Sequence, residues 1–200
     1  MTSSAKVDGV VTHSVPVKRE GGRRVRGGVE YKTYSVSVIT VVFNGAGTIE
    51  ETIKSVVAQT CSNVEYIIVD GASTDATLEI LEKYEDQIAY WVSEKDRGIY
   101  DAMNKGIALA TADIIGILNA DDTYTPDAVG LALDALQDSP EAGYCYGWLS
   151  LCDLKGRALG IVKPVPPSMF SSRVLRETVV PHPTVFMRRS VYQRLGAFDA

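Results

Sequence analysis

Short apolar runs that alternate with stretches of helical spacing constrain this chain more than any other feature in it. Residues 36–43 (VSVITVVF), 64–70 (VEYIIVD), 88–92 (IAYWV) and 114–118 (IIGIL) are short and strongly apolar, the pattern of strands buried on both faces. Between them, Ile49, Ile53, Val56 and Val57 fall on one helical face, Leu78, Ile80 and Leu81 mark a second helix over 77–84, and 100–110 reads as a third. Strands and helices in alternation predict an α/β fold, a mainly parallel sheet with helices on both faces. Thr48 and Glu51 have capping-box spacing, and Thr125-Pro126 predicts the start of a further helix. Beyond Ser139-Pro140 the pattern changes. Strand-like segments over 143–152 and 158–162 flank a turn at 153–156, a loop at 164–167 follows, and a strand at 184–187 precedes a short helix at 190–195.

The chain has 200 residues, 46% of them hydrophobic and 22% charged, enough for one core of ordinary size. Its net charge of −5 argues against a nucleic-acid binder. The charge is uneven. Residues 1–34 carry seven Lys/Arg and three Asp/Glu, net +4, so the remainder carries −9. That segment, with GGRRVRGG at 21–28, shows no sustained period and reads as a flexible basic tail; a peripheral contact with an anionic membrane surface stays open. Cys61, Cys145 and Cys152 form neither an even set nor a CxxC pair, so reduced thiols in a cytoplasmic setting are expected. Trp91 and Trp148 are assigned to strand packing, with a sugar-facing role left open for Trp148.

The chemistry gathers where the predicted strands stop. The run 114–118 ends abruptly in Asn119, Ala120, Asp121 and Asp122, and carboxylates with an amide neighbour suit a hard divalent cation, Mg²⁺ or Mn²⁺, that shares its sites with water and substrate phosphates. The second strand ends in Asp70, able to accept from an imide N–H or ribose hydroxyls, with Asp75 just beyond. Asn44 ends the first. In a parallel sheet these ends share one edge, where open α/β folds bind ligands.

Four ordered segments carry a resemblance that covers residues 35–200: SVITVVFNGAGTIEETIKSVVAQT, VEYIIVDGASTD, SEKDRGIYDAMNKGIALATADIIGILNADD and HPTVFMRRSVYQRLGAFD. The sequence resembles a family-2 glycosyltransferase of the GT-A fold, similar to bacterial enzymes of exopolysaccharide and lipopolysaccharide synthesis. The resemblance implies a Rossmann-like three-layer α/β/α sandwich, with a nucleotide-sugar half over 35–125 and a partial acceptor half over 126–200. It places Thr40, Val42 and Phe43 in the base pocket, Asp70 against the base and Asp75 nearby. The family's metal motif falls on Asn119-Ala120-Asp121, which leaves Asp121 as the direct ligand of Mg²⁺ or Mn²⁺. Asp96, Arg97, Gly98 and Asn104, from the DRGIYDAMNKG segment, border the donor sugar and diphosphate, and His182 borders the acceptor or diphosphate.

By the same resemblance, a sugar leaves a nucleoside diphosphate, UDP or dTDP, for a hydroxyl of a glycan or lipid-linked glycan, with inversion and in surface polysaccharide synthesis at the inner face of the membrane. In related enzymes the catalytic base follows the segment matched by Gly196 to Asp199, so the chain is expected to be C-terminally incomplete and its base unassigned, Asp199 and Glu177 being the carboxylates to examine first. Two other readings stay open. A non-catalytic donor-binding module fits an incomplete C-terminus. A sugar nucleotidylyltransferase would need a basic, glycine-rich loop after the first strand, and Asn44-Gly45-Ala46-Gly47 lacks the basic residue.

Overall fold

A computed structural model describes residues 18–27, 35–153, 155–169 and 180–200. Its main sheet contains, in chain order, β1 (Arg19–Gly21), β2 (Val36–Val42), β3 (Val64–Asp70), β4 (Tyr90–Ser93), β5 (Ile114–Asn119), β6 (Tyr144–Cys145) and β9 (Phe186–Arg188). The spatial order is β1-β4-β3-β2-β5-β9-β6. Strands β4, β3, β2 and β5 run parallel, and β1 and β9 pair antiparallel at either side of them. Helices α2 (Ile49–Val57), α3 (Thr77–Lys83), α4 (Ile99–Leu109), α5 (Ala128–Asp138) and α6 (Arg189–Leu195) complete the layers, after a single turn α1 (Arg23–Arg26).

Every residue of β2 is buried, which explains why its sequence is apolar without alternation. One face of the sheet, with Val38, Tyr66, Ile68, Ile114 and Leu118, packs on Ile49, Ile53 and Val56 of α2, Leu81 of α3 and Val129 and Leu136 of α5. The other, with Ile39, Ile67, Val69, Ile115 and Ile117, packs on Ala102 and Met103 of α4, and Tyr192 of α6 joins it. Each such fully buried aliphatic side chain contributes about 1.5–3 kcal/mol relative to an exposed one. Gly106 lets α4 sit close, because a Cβ there would lie 2.3 Å from Ile39 Cγ2.

The structure departs from the sequence reading in several places. Part of the expected flexible tail is built into the sheet: β1 pairs with β4, with Glu20 opposite Val92. Arg24 reaches Glu65, a fully buried carboxylate that also accepts from Ser37 Oγ, Thr111 Oγ1 and, at 2.7 Å, Thr111 N–H. Arg19 pairs with Glu82, and Arg26 with Glu85 and Asp86. These arginines answer acidic groups of the body, which is why a basic segment without local periodicity takes a defined place. The remainder of that segment, 1–17 and 28–34, lies outside the described residues.

Thr48 stands before α2 but makes no side-chain cap bond, so the capping box does not form. Helix α5 starts at Ala128 rather than at Thr125-Pro126, because the Thr125 carbonyl is held by Gln59 Nε2 at 2.7 Å and by Ala128 N–H at 3.1 Å. The expected strand over 143–152 divides: β6 joins the main sheet through β9, while β7 (Leu149–Cys152) leaves it to pair with β8 (Ala158–Val162) as a separate hairpin. Asp153 organises its turn, accepting from the N–H groups of Lys155 and Arg157, each at 2.9 Å; Leu154 lies outside the described residues. Cys61, Cys145 and Cys152 are free thiols. Among the described residues no helix is long and apolar enough to cross a membrane.

Candidate functional site

The chain moves outward from β2 to β3 and β4, then returns to place β5 on the other side of β2. That reversal splays the loops after β2 and β5 apart, and such a switch point is the ligand crevice of open parallel sheets. Here it opens a cleft of about 610 Å³ whose walls include Phe43, Asn44, Asp96, Gly98, Asn119 and Asp121. Register aligns its floor: Val42 lies opposite Asp70, Val41 opposite Asn119, and Asp70 opposite Ser93.

The β5 end supplies the polar wall. Asp122 N–H bonds the Asn119 carbonyl at 3.1 Å, a tight turn that pushes Asp121 into solvent at the mouth. Thr52 Oγ1 of α2 holds the Asp122 carbonyl at 2.8 Å. Asn119 Oδ1 is buried and has no hydrogen-bond partner among the described residues, an orphan acceptor in a cleft wall. Burial, and then the neighbouring Asp121, pushes the Asp122 carboxyl above its usual range. Amide and carboxylate oxygens are the donor types a hard divalent cation takes; Asn119 and Asp121 line the cleft, and Asp122 is not among its lining residues. Among the described residues no group of three His, Cys, Asp or Glu could hold a metal, so water and ligand oxygens would have to complete the coordination, as Mg²⁺ commonly allows.

The β2–α2 loop has a different role from that of a phosphate-binding loop. Its N–H groups are spent on the β3–α3 turn: Asn44 on Ser73 Oγ at 2.7 Å, Gly45 on Thr77 Oγ1 at 3.0 Å and Ala46 on Asp75 Oδ2 at 3.0 Å. Asn44 takes a positive φ of 51°, a region that asparagine tolerates, and its Oδ1 accepts the Thr74 N–H at 2.8 Å. The two loops form one rigid wall.

Of the residues expected at the site, Val42, Phe43, Asp96, Gly98, Asn119, Ala120 and Asp121 line the cleft. Others have different work. Thr40 is fully buried, its Oγ1 3.1 Å from Tyr66 Oη in the core. Asp70 is fully buried and saturated within the protein, accepting from Ser73 N–H at 2.9 Å, Ser93 Oγ at 2.6 Å and Ser73 Oγ. Asp75 leads into α3, where bonds from Thr77 and then Ala46 hold its carboxyl below the usual range. Arg97 turns to Asp101 at 3.1 Å.

Asn104 is consumed by a distant segment. Its Nδ2 donates to the Phe198 carbonyl at 2.8 Å, and its Oδ1 accepts the Phe198 N–H at 2.9 Å. The Phe198 ring so positioned stacks on Tyr100 at 5.5 Å and faces His182 at 6.3 Å. Partial burial lowers the His182 pKa below 6.5. Asn104 and His182 thus share one small cluster beside the cleft, organised around Phe198. Gly45, Thr48, Ile99 and Ala102 also line the cleft and were not expected there.

The glycosyl transferase family 2 profile matches residues 37–196. An uncharacterised glycosyltransferase of Mycobacterium tuberculosis is 36% identical over 82% of this chain, which spans 63% of that relative's length. A mannosyltransferase of Pyrobaculum calidifontis, solved with GDP-Man and Mn²⁺, superposes with a TM-score of 0.59 at 26% identity, over 84% of this chain and 48% of its own. S. aureus TarS in complex with UDP has the same fold, with a TM-score of 0.59 at 22% identity over 80% of this chain and 48% of its own. These neighbours share the mostly parallel GT-A sheet, and by the profile match over most of its length the chain belongs to glycosyl transferase family 2.

Proposed function

We propose that this chain binds a nucleoside-diphosphate sugar with Mg²⁺ or Mn²⁺ in the switch-point cleft and serves the transfer of that sugar, with inversion, to a hydroxyl of a glycan or lipid-linked glycan in surface polysaccharide synthesis. The observation that carries this reading is the juxtaposition at the β5 end: the orphan Asn119 Oδ1 and the exposed Asp121 on one side of a crevice whose other side is the Phe43 wall. A nucleoside fits along the apolar Val42 and Phe43 side, which leaves its diphosphate toward Asp121. Asn119 and Asp121 would hold the cation, whose chemistry there would be to neutralise charge growing on the departing diphosphate.

The protein's own groups do the positioning. Asn119 and Asp121 would orient the diphosphate end through the cation they hold, and the hydrogen-bonded β2–α2 wall would orient the nucleoside end. The attacking hydroxyl must give up its proton to a carboxylate base. Asp199 follows the anchored Phe198 and is exposed, while Glu177 lies outside the described residues.

The metal site is tested by calorimetry with UDP and Mn²⁺. Asp121→Ala is expected to abolish the Mn²⁺-dependent part of the affinity with an unchanged melting temperature, since an exposed strand-end carboxylate contributes little to the core. Asn119→Asp is expected to tighten Mn²⁺ binding. Equal Mn²⁺-dependent affinity in wild type and Asp121→Ala would sink the reading. Product analysis with UDP-sugar and hydroxyl acceptors then separates glycoside formation from donor binding alone.

A further inference from the structure

Asp70 cannot reach a ligand, yet a different carboxylate stands just above the end of β3. A Cβ placed on Gly71, the next residue, would lie 2.5 Å from Asp96 Oδ2 and 3.4 Å from Cδ2 of the Phe43 ring. The space that a side chain at 71 would occupy is therefore filled by a carboxylate brought in from the β4–α4 loop. A turn holds it there: Asp96 Oδ1 accepts the Gly98 N–H at 2.9 Å. No hydrogen bond from the described residues reaches Oδ2, and both Asp96 and Phe43 line the cleft. Phe43, 64% exposed, offers a flat apolar face directly beside that free oxygen.

We infer that Asp96 is the base-reading carboxylate of this cleft, and that it selects a pyrimidine whose ring nitrogen carries a proton, the imide of uracil or thymine. The inference rests on the donor-binding reading above and names the residue that sets its base preference. A base stacked on Phe43 turns its edge toward Asp96, and a carboxylate only accepts. Uracil presents N3–H to it. Cytosine and adenine present a bare ring nitrogen at the corresponding edge, so a carboxylate opposite it is repelled and can accept only from the neighbouring exocyclic amino group by shifting off that position. Guanine offers paired donors that call for both carboxylate oxygens, and Oδ1 is already committed to Gly98. Gly71 is part of the device, since any side chain there would displace Asp96.

The test is calorimetric titration of UDP, CDP, GDP and ADP, with Mn²⁺, into wild type, Asp96→Asn and Gly71→Ala. Wild type is expected to favour UDP at least tenfold over the other three. In Asp96→Asn the amide oxygen must stay on the Gly98 N–H, because the amide nitrogen cannot accept, and so an N–H donor replaces Oδ2. UDP affinity should fall at least tenfold, CDP affinity should rise, and their order should invert. Gly71→Ala should lose the preference for UDP without inverting it. A UDP preference that survives in Asp96→Asn, or a wild type that favours GDP or ADP, overturns the assignment and leaves donor binding standing. A wild type that binds none of the four overturns donor binding and this inference with it.

Discussion

Asp70 and Asn104 show what a polar side chain beside a cleft can be doing instead of binding. Both are fully engaged within the protein, the one by two serines, the other by the backbone of Phe198. Asp70→Asn is therefore expected to act on stability, with a loss of roughly 1–3 kcal/mol for a weakened bond to a charged group, read from the urea midpoint. Asn104→Ala should cost about 1–2 kcal/mol by removing two bonds. It should also accelerate hydrogen exchange at the Phe198 amide while exchange in β2 and β3 stays slow. Unchanged protection at Phe198 would show that something other than Asn104 anchors that segment. Neither role was legible in the sequence, for a physical reason. The partner of Asn104 lies 94 residues away, and a local pattern shows that an amide is near an edge but not which group takes its hydrogen bonds. Asp121 and Asn119 were legible because a strand end fixes where they emerge, whatever packs elsewhere.

At the scale of elements, the apolar runs gave the central strands within a residue or two, since a strand buried on both faces has no other way to be written. The N-terminal strand was illegible. Residues 19–21 carry no period, and the ion pairs that tie this segment down, Arg19 to Glu82 and, from the adjoining α1, Arg24 to Glu65 and Arg26 to Glu85, reach other elements. Arg24→Ala tests that account. It leaves the buried Glu65 with only its Ser37 and Thr111 donors, and about 1–3 kcal/mol of stability should be lost. Glu65→Gln in the Arg24→Ala background should recover part of it, because the uncompensated charge is removed. A second element test is Gly106→Ala. The added methyl meets Ile39 Cγ2, and the overpacking should cost about 1–3 kcal/mol despite the gain in helix propensity.

For the whole molecule, mild acid is the condition most expected to report on the cluster that His182 forms with Phe198. The folded-state pKa of His182 lies below 6.5 because of partial burial, so the unfolded chain takes up its proton first as pH falls. The contribution of His182 is complete above pH 6.5 and is lost as pH drops through 6.5 toward the depressed value. Carboxylates with lowered values, such as Glu50 at about 2, act only in a more acidic window. Thermal melts at pH 7.5 and 5.5 should show a smaller drop for His182→Gln than for wild type. Equal drops would place the titration elsewhere.

The antiparallel pairing of β1 with β4 also orders events on the ribosome. Residues 19–21 leave the exit tunnel before any other described strand, yet Glu20 must wait for Val92 to be made before it has a partner. By then β2 and β3 are available to each other, and β4 can add to them. A nascent chain that stalls at this stage carries a completed β4 whose outer backbone groups are bare, and bare strand edges recruit strands from other chains. The earliest of the described strands to be translated is thus the late closure that ends the vulnerable interval.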